Sequence, residues 1–369
     1  MKKCVIASDS FKETLSSKQI ADLFETEFRK LFPDAILNKV VLGDGGENTL
    51  EVFANNFPDG QYHIVETTGP NFQRINAKYY TNDNIAVIEL AEASGLSLAI
   101  EKNPLKTTTY GVGELIKDAY INGYRKFYIA LGGSSTNDGG CGLLSALGVK
   151  FIDKNGCEFI PVGGTISNIE YIDTSNLIAK DAHFIILSDV KNTMFGPNGA
   201  AHVFAKQKGA NNEEIEKLDK NLVYLNELFI KYSGKDVSTI CGSGAAGATS
   251  SGMLAFLDAE IVSGIDVILD LIDFDNLIKD ADYVFTGEGK LDSQSFDGKL
   301  ISGVLKRTNI QGIKTICVCG INELIDVPSN TFYKVFQTSD ANSDFDDIKV
   351  NAEAYYSKTI RKILNEIDL

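Results

Sequence analysis

Five apolar runs in this chain end in the same way, and that ending limits the fold more than any other feature. Each is short enough for a strand and stops in small, hydroxyl-bearing and acidic residues. The segments are CVIASDSFKE from Cys4, VVLGDGGE from Val40, YIALGGSSTNDGG from Tyr128, FIILSDVKN from Phe184 and YVFTGEGKLDSQS from Tyr283. Between them apolar residues recur at helical spacing. Alternation of this kind predicts an α/β protein with a mainly parallel sheet, and in open sheets ligands gather where the carboxyl ends of strands meet. One such ending is also what an ordinary turn looks like. Five together point to a site.

The helices can be read individually. Ser16 with Gln19 makes a capping box, Ile20, Leu23, Phe24, Phe28, Leu31 and Phe32 form a stripe, and Pro33 closes the segment. A second long helix is expected over 212–231, with Ile215, Leu218, Leu222, Leu225 and Phe229 on one face, and a third around 354–367. From Thr67 to Leu96 the texture changes to short alternating runs, and VKFIDKNGCEFI from Val149 reads as a hairpin turning at Asn155-Gly156. At 369 residues with 44% hydrophobic content the chain can fill two cores. The expected division is a Rossmann-like α/β domain from both chain ends, 1–66 and 280–369, and an inserted mixed α/β domain, 67–279.

Tyr128 to Gly148 reads as a buried strand emptying into a loop rich in glycine and hydroxyl groups that opens a helix. Backbone N–H groups and the helix dipole favour an anion there. With a net charge of −15 the protein has no basic surface for nucleic acid, so any anion must be gathered locally. The first six residues lack the apolar stretch of a signal peptide, and no apolar run is long enough to span a membrane. The six cysteines show no CxxC and no metal-like pairing with the three histidines, and they read as reduced thiols of a cytoplasmic protein.

No GxxxxGK[ST] loop, GxSxG elbow, HExxH pair, calcium loop or protein-kinase signature set is present. Gly242 to Gly247 does match the GxGxxG dinucleotide fingerprint, with VSTIC before it and Asp266 at a fitting distance. That keeps an NAD-dependent hydroxy-acid dehydrogenase as one alternative. A non-catalytic binding protein for small hydroxy acids is another. His63, His183 and His202 sit in packing or surface contexts. What remains, loop carboxylates interspersed with lysines, suits phosphoryl transfer, which needs carboxylates for Mg²⁺, donors for the moving phosphoryl and an Asp to orient the attacking hydroxyl. Asp44 with Glu47, and Glu288 with Asp292, are candidate metal or substrate carboxylates. Lys12, Lys206 and Lys290 are candidate anion contacts. Arg74 offers a planar fork for a carboxylate, and Asp189 is a charge at the end of an apolar strand, the candidate general base.

These segments resemble the bacterial glycerate kinases of type 1, which phosphorylate D-glycerate. DSFKETLS from Asp9, GDGGENT from Gly43, TTTYGVGELI from Thr107, GGSSTNDGGCGLLSALG from Gly132, SDVKNTMFGPNGAAHVFAKQKGA from Ser188 and TGEGKLDSQSFDGK from Thr286 follow the family's order nearly end to end. The resemblance implies transfer of the ATP γ-phosphoryl to D-glycerate with Mg²⁺, 2-phosphoglycerate being the favoured product, in a cleft between two α/β domains, by a monomer or homodimer. Ser10, Lys12, Asp44, Glu47, Asn137, Asp138, Asp189, Glu288, Lys290, Asp292 and Gln294 fall on motif positions. The roles expected of the site are catalysis for Asp189, Asp138 and Lys290, and substrate binding for Ser10, Lys12, Arg74, Asn137 and Asp44. Phosphate contact is expected at Gly132, Gly133, Ser134, Ser135, Gly287, Gly289 and Lys206, and metal binding at Glu47, Glu288 and Asp292. Four features depart from the family pattern. Asn48 replaces a usual Gly, Ser188 a usual Cys, Lys191-Asn192-Thr193 the usual Asn-Pro-Leu, and the run at Gly242 is poorer in glycine.

Overall fold

The computed structural model describes residues 2–11, 13–43, 45–46, 48–296, 300–324, 331–339 and 344–367. Lys12, Asp44, Glu47 and the side chain of Gln294 lie outside the described residues. The chain divides into two compact units, a terminal one from Met1–Asp44 with Ile265–Leu369, and an internal one, Gly45–Gly264. These divisions stand earlier in the chain than 66/67 and 279/280. The Gln61–Thr68 strand explains the first, because it pairs along its whole length with Arg74–Asn82 and so belongs to the internal sheet. The second follows from Arg307, which is ion-paired to Asp270 and, at 2.6 Å, to Asp275, and so ties that helical stretch to the terminal unit.

The terminal unit carries a five-stranded parallel sheet in the order Lys334–Gln337, Lys314–Cys319, Tyr283–Thr286, Lys3–Ser8, Ile36–Val41. Strand order reverses between Lys3–Ser8 and Tyr283–Thr286, which is the switch point at which doubly wound sheets open a crevice. The Ser17–Leu31 helix forms as its sequence predicts: Gln19 N–H donates to Ser16 Oγ at 3.2 Å and Ser16 N–H to Gln19 Oε1 at 2.9 Å. Its Ile20, Phe24 and Phe28 are fully buried, and Phe24 lies 4.5 Å, centroid to centroid, from Phe285 on the sheet. The last helix, Phe345–Glu366, starts nine residues before the expected 354. Its first turns carry Asp346, Asp347, Lys349 and Asn351 beside the exposed Phe345 and Val350, and its buried face begins only at Ala352 and Tyr356.

The internal unit holds a mixed sheet ordered Glu260–Val262, His183–Leu187, Lys126–Ala130, Ile85–Glu89, Arg74–Asn82, Gln61–Thr68. The first four strands are parallel to one another. The last two form an antiparallel extension. Helix Asn212–Ser233 begins with a capping box from Asn211 and Glu214 and buries Leu218, Leu222, Leu225 and Phe229. The expected hairpin is present, Lys150–Asp153 pairing with Glu158–Phe159 around Gly156. The five strands recognised by their endings all form, three in the terminal sheet and two in the internal one.

Candidate functional site

At the carboxyl edge of the terminal sheet, the ends of four strands line a cavity of about 380 Å³. Asp9, Ser10, Glu288, Lys290 and Asp292 supply a polar wall, and Phe11, Phe345, Ile348 and Tyr355 an apolar one. The loops here are locked by backbone pairing. Asp9 N–H donates to Gly287 O at 2.9 Å, Gly320 N–H to Glu288 O at 3.1 Å and Ile321 N–H to Gly289 O at 3.0 Å. Gly287 must be glycine, since a Cβ there would stand 1.8 Å from the Val318 carbonyl. Ser10 is turned by its neighbour, donating its N–H to Asp9 Oδ1 at 2.7 Å. Lys290 is 2.7 Å from Glu323 and 4.0 Å from Asp292, and the Glu323 hydrogen bond raises its pKa. The structure therefore brings Ser10, Glu288, Gly289, Lys290 and Asp292 around one crevice, with Gly287 behind them. Among the described residues no three carboxylate, histidine or cysteine side chains form a metal cage.

The carboxyl edge of the internal sheet gathers a different set. Gly132 and Gly133 are half-buried, whereas Ser134 through Asp138 are buried. The Asp138 carboxylate accepts from Thr109 N–H and Oγ1, both at 2.8 Å, from Gly140 N–H at 3.1 Å and from Gly142 N–H at 3.3 Å. Burial pushes its pKa up, against these hydrogen bonds. The helix after the loop is only Cys141–Ala146, and the anion at its start is the protein's own Asp138. The expected dipole cradle at that helix is thus filled from within, and the reachable backbone of the loop is at Gly132 and Gly133. Asp189 lies two residues past the His183–Leu187 strand, partly exposed. Arg74 begins its strand half-exposed, with its guanidinium on Glu66 at 3.3 Å and Glu114 at 3.2 Å. Burial opposes ionisation of Glu114, but hydrogen bonds from Thr67, Thr68 and Arg74 hold its pKa below the usual range.

Two residues at this edge escape the sequence reading. Glu89, buried at the end of its strand, accepts from Asn48 N–H at 2.9 Å and Leu50 N–H at 3.2 Å, capping the Thr49–Asn56 helix. The IAVIEL run carries the same signal as FIILSD, a charge closing an apolar strand. Lys206 is exposed, and the cation that touches the glycine-rich loop is Lys208, its Nζ 2.7 Å from both Ser134 Oγ and Thr136 O.

The dinucleotide fingerprint at Gly242 does not have its structure. VSTIC is a turn instead of a strand, residues 246–248 are left-handed with φ of 53°, 65° and 64°, and Asp266 belongs to the other unit. The glycines serve packing: a Cβ on Gly247 would stand 2.0 Å from Thr136 O. The glycerate kinase family model matches residues 4–368. The chain belongs to the glycerate kinase family. It is 41% identical over 308 residues to the glycerate 2-kinase of Escherichia coli K12, covering 82% of this chain and 81% of that protein. It is 36% identical over 378 residues to the glycerate kinase of Bacillus subtilis 168, covering 100% and 98%. A crystal structure from Salmonella typhimurium LT2, provisionally named glycerate kinase 2, superposes with a TM-score of 0.88 at 36% identity, covering 99% of this chain and 98% of that one.

Family membership makes the protein an enzyme, a phosphotransferase acting on glycerate. The dehydrogenase and the non-catalytic binding protein are both set aside: the first lacks its strand-turn-helix, and the second is not what the family does. No helix among the described residues is long and apolar enough to cross a membrane.

Proposed function

We propose that the protein transfers the γ-phosphoryl of ATP to D-glycerate in line, with Mg²⁺, releasing ADP and 2-phosphoglycerate. The observation that carries the nucleotide part is the cavity at the switch point of the terminal sheet. Its volume of about 380 Å³ and its two walls suit a ligand with one flat apolar end and one polyanionic end. Glu288 and Asp292 are the proposed metal carboxylates, with Glu47 a further candidate. Mg²⁺ is commonly held by one or two carboxylates and the substrate phosphates, so a fully protein-built cage is not required. When bound it would neutralise charge on the phosphates. Lys290, fixed by Glu323, is proposed to face the same phosphates, and the backbone at Gly287 and Gly289 to allow their close approach.

On the acceptor side, Asp189 is proposed to orient the glycerate hydroxyl and take its proton as the oxygen bonds to the γ-phosphorus and the bond to the ADP oxygen breaks. The backbone at Gly132 and Gly133 and the hydroxyls of Ser134 and Ser135 are proposed to hold an anionic group. Arg74, Ser10, Lys12 and Asp44 remain proposed substrate contacts, and Lys206 a phosphate contact. Asp138, with both oxygens occupied, is assigned to shaping the loop, and Asn137 remains a proposed substrate contact.

A coupled ADP-release assay with D-glycerate tests this. Turnover is expected, with ³¹P NMR showing the 2-phosphate, and Asp189→Asn is expected to lower kcat by about a hundredfold or more. Wild-type activity no greater than that of the variant would overturn the reading.

A further inference from the structure

Lys208 is a buried cation that the proposed chemistry leaves unused. Its side chain is 2% exposed, on the turn Lys206–Lys208. The Nζ donates to Ser134 Oγ and Thr136 O, and among the described residues no carboxylate stands within ion-pair distance of it. Asp138 is the charged group there that acts on it, from a distance, and that carboxylate is already taken by Thr109, Gly140 and Gly142. Burying an ammonium without a close counter-charge is strongly unfavourable, since its hydration is lost and no opposite charge replaces it. A neutral donor would hold a hydroxyl and a carbonyl with far less penalty. Burial correspondingly holds the Lys208 pKa down at about 7.

Asn137 adds an independent observation. It follows Thr136 directly, is fully buried, and among the described residues neither its Oδ1 nor its Nδ2 has a hydrogen-bond partner. Orphaned amides of this kind call for an explanation, because a buried polar group without a partner loses its hydration and gains nothing in return. One short stretch thus combines a cation short of charge with an amide short of partners, and both deficits are of the kind an anionic ligand with acceptor oxygens and bound water would relieve.

We propose that Lys208 is the positioning cation of the Gly132–Asp138 loop: it anchors Ser134 and Thr136 and supplies the charge complementary to an anionic group held on that loop. The group is an oxyanion, either a nucleotide phosphoryl or the glycerate carboxylate. This rests on the reading that the loop holds an anion. Linkage then requires that binding the anion favours the ammonium, so that near pH 8 the protein takes up part of a proton with its ligand.

The test is calorimetric titration near pH 8 in two buffers of different ionisation enthalpy, with D-glycerate in one arm and a non-hydrolysable ATP analogue in the other. The glycerate carboxylate is ionised throughout this range, so uptake in that arm comes from the protein. Uptake is expected in one arm, which identifies the oxyanion. It is expected to vanish in Lys208→Met, with the KM for that substrate raised about tenfold and kcat changed far less. Uptake undiminished in a folded Lys208→Met, or both KM values unchanged, would overturn the proposal. Should Lys208→Met not fold, Ser134→Ala decides: it keeps the cation and cuts one anchor, and it is expected to raise the same KM while proton uptake persists. Unchanged KM values in that variant reject the anchoring role. Absence of ATP-dependent turnover in the wild type would sink the proposed function, whereas turnover without proton uptake would sink only this inference.

Discussion

At the scale of single residues, Asn48 shows how a departure from the family pattern is accommodated. The position is left-handed, with φ of 66°, and its N–H is held by Glu89 at the start of the Thr49–Asn56 helix. Glycine occupies that region without strain, and asparagine tolerates it better than most side chains. Asn48→Ala is therefore expected to cost about 1 kcal/mol in urea unfolding, and Asn48→Gly to stay within about 0.5 kcal/mol of the wild type. Equal losses in the two variants would refute the backbone explanation. Lys208 makes a second case. Its folded pKa of about 7 lies below the ordinary 10.5, so between those values the unfolded chain holds a proton that the folded one lacks. Stability contributed through this group is thus lowest below pH 7 and rises with pH across that window. The stability difference between wild type and Lys208→Met should shift in favour of the wild type over that range, and a pH-independent difference would rule the shift out. Asp189 was singled out in the sequence because a charge closing an apolar strand needs a reason. Lys208 was not, since nothing in KQKG distinguishes it from Lys206 until tertiary packing buries one and exposes the other.

At the scale of elements, what the sequence reveals is what local chemistry controls. The Ser16 and Gln19 capping box, the Asn155-Gly156 hairpin and the five strand endings all depend on neighbours a few residues away, and all form. The Gly242 run shows the opposite case. Its spacing fits a dinucleotide turn, yet Gly247 is small because the Thr136 carbonyl packs against it, a contact 111 residues distant that no spacing rule contains. The anion-cradle reading of the Cys141 helix fails for a related reason, because the helix is short and Asp138 already supplies the negative charge at its start. Gly287 offers the sharpest test at this scale. It joins the ends of Tyr283–Thr286 and Lys314–Cys319, and a methyl group there would lie 1.8 Å from Val318 O, forcing the two loops apart. Gly287→Ala is expected to destabilise the terminal unit by about 3 kcal/mol or more and to remove activity, since rigid backbone cannot yield as a flexible side chain would. Thermal unfolding within about 1 °C of the wild type would show that the pairing is looser than the geometry requires.

At the scale of the whole molecule, the two units differ in how their sheets are assembled from the chain. Every strand of the internal sheet lies between Gln61 and Val262, and the buried cluster on which it packs runs from Ala77 to Ala259. That segment contains its own core. The terminal sheet, by contrast, takes Lys3–Ser8 and Ile36–Val41 from one end of the chain and three strands from the other, with Lys3–Ser8 seated between Ile36–Val41 and Tyr283–Thr286. Neither end holds the complete sheet, because residues 265–369 lack Lys3–Ser8 and Ile36–Val41 and residues 1–44 lack Tyr283–Thr286, with which Lys3–Ser8 pairs. The changes of texture along the sequence reveal an insertion but not its limits. Gln61–Thr68 is too exposed on one face to announce which sheet it joins, and only its antiparallel register with Arg74–Asn82 assigns it. An excised 45–264 segment is therefore expected to unfold cooperatively by heat and denaturant, as a domain with its own core does. A 265–369 fragment is expected to show no cooperative transition until a 1–44 peptide is added, when Lys3–Ser8 and Ile36–Val41 complete the sheet. A cooperative transition in 265–369 alone would mean that three adjacent strands suffice, and would overturn the role given to the amino-terminal strand.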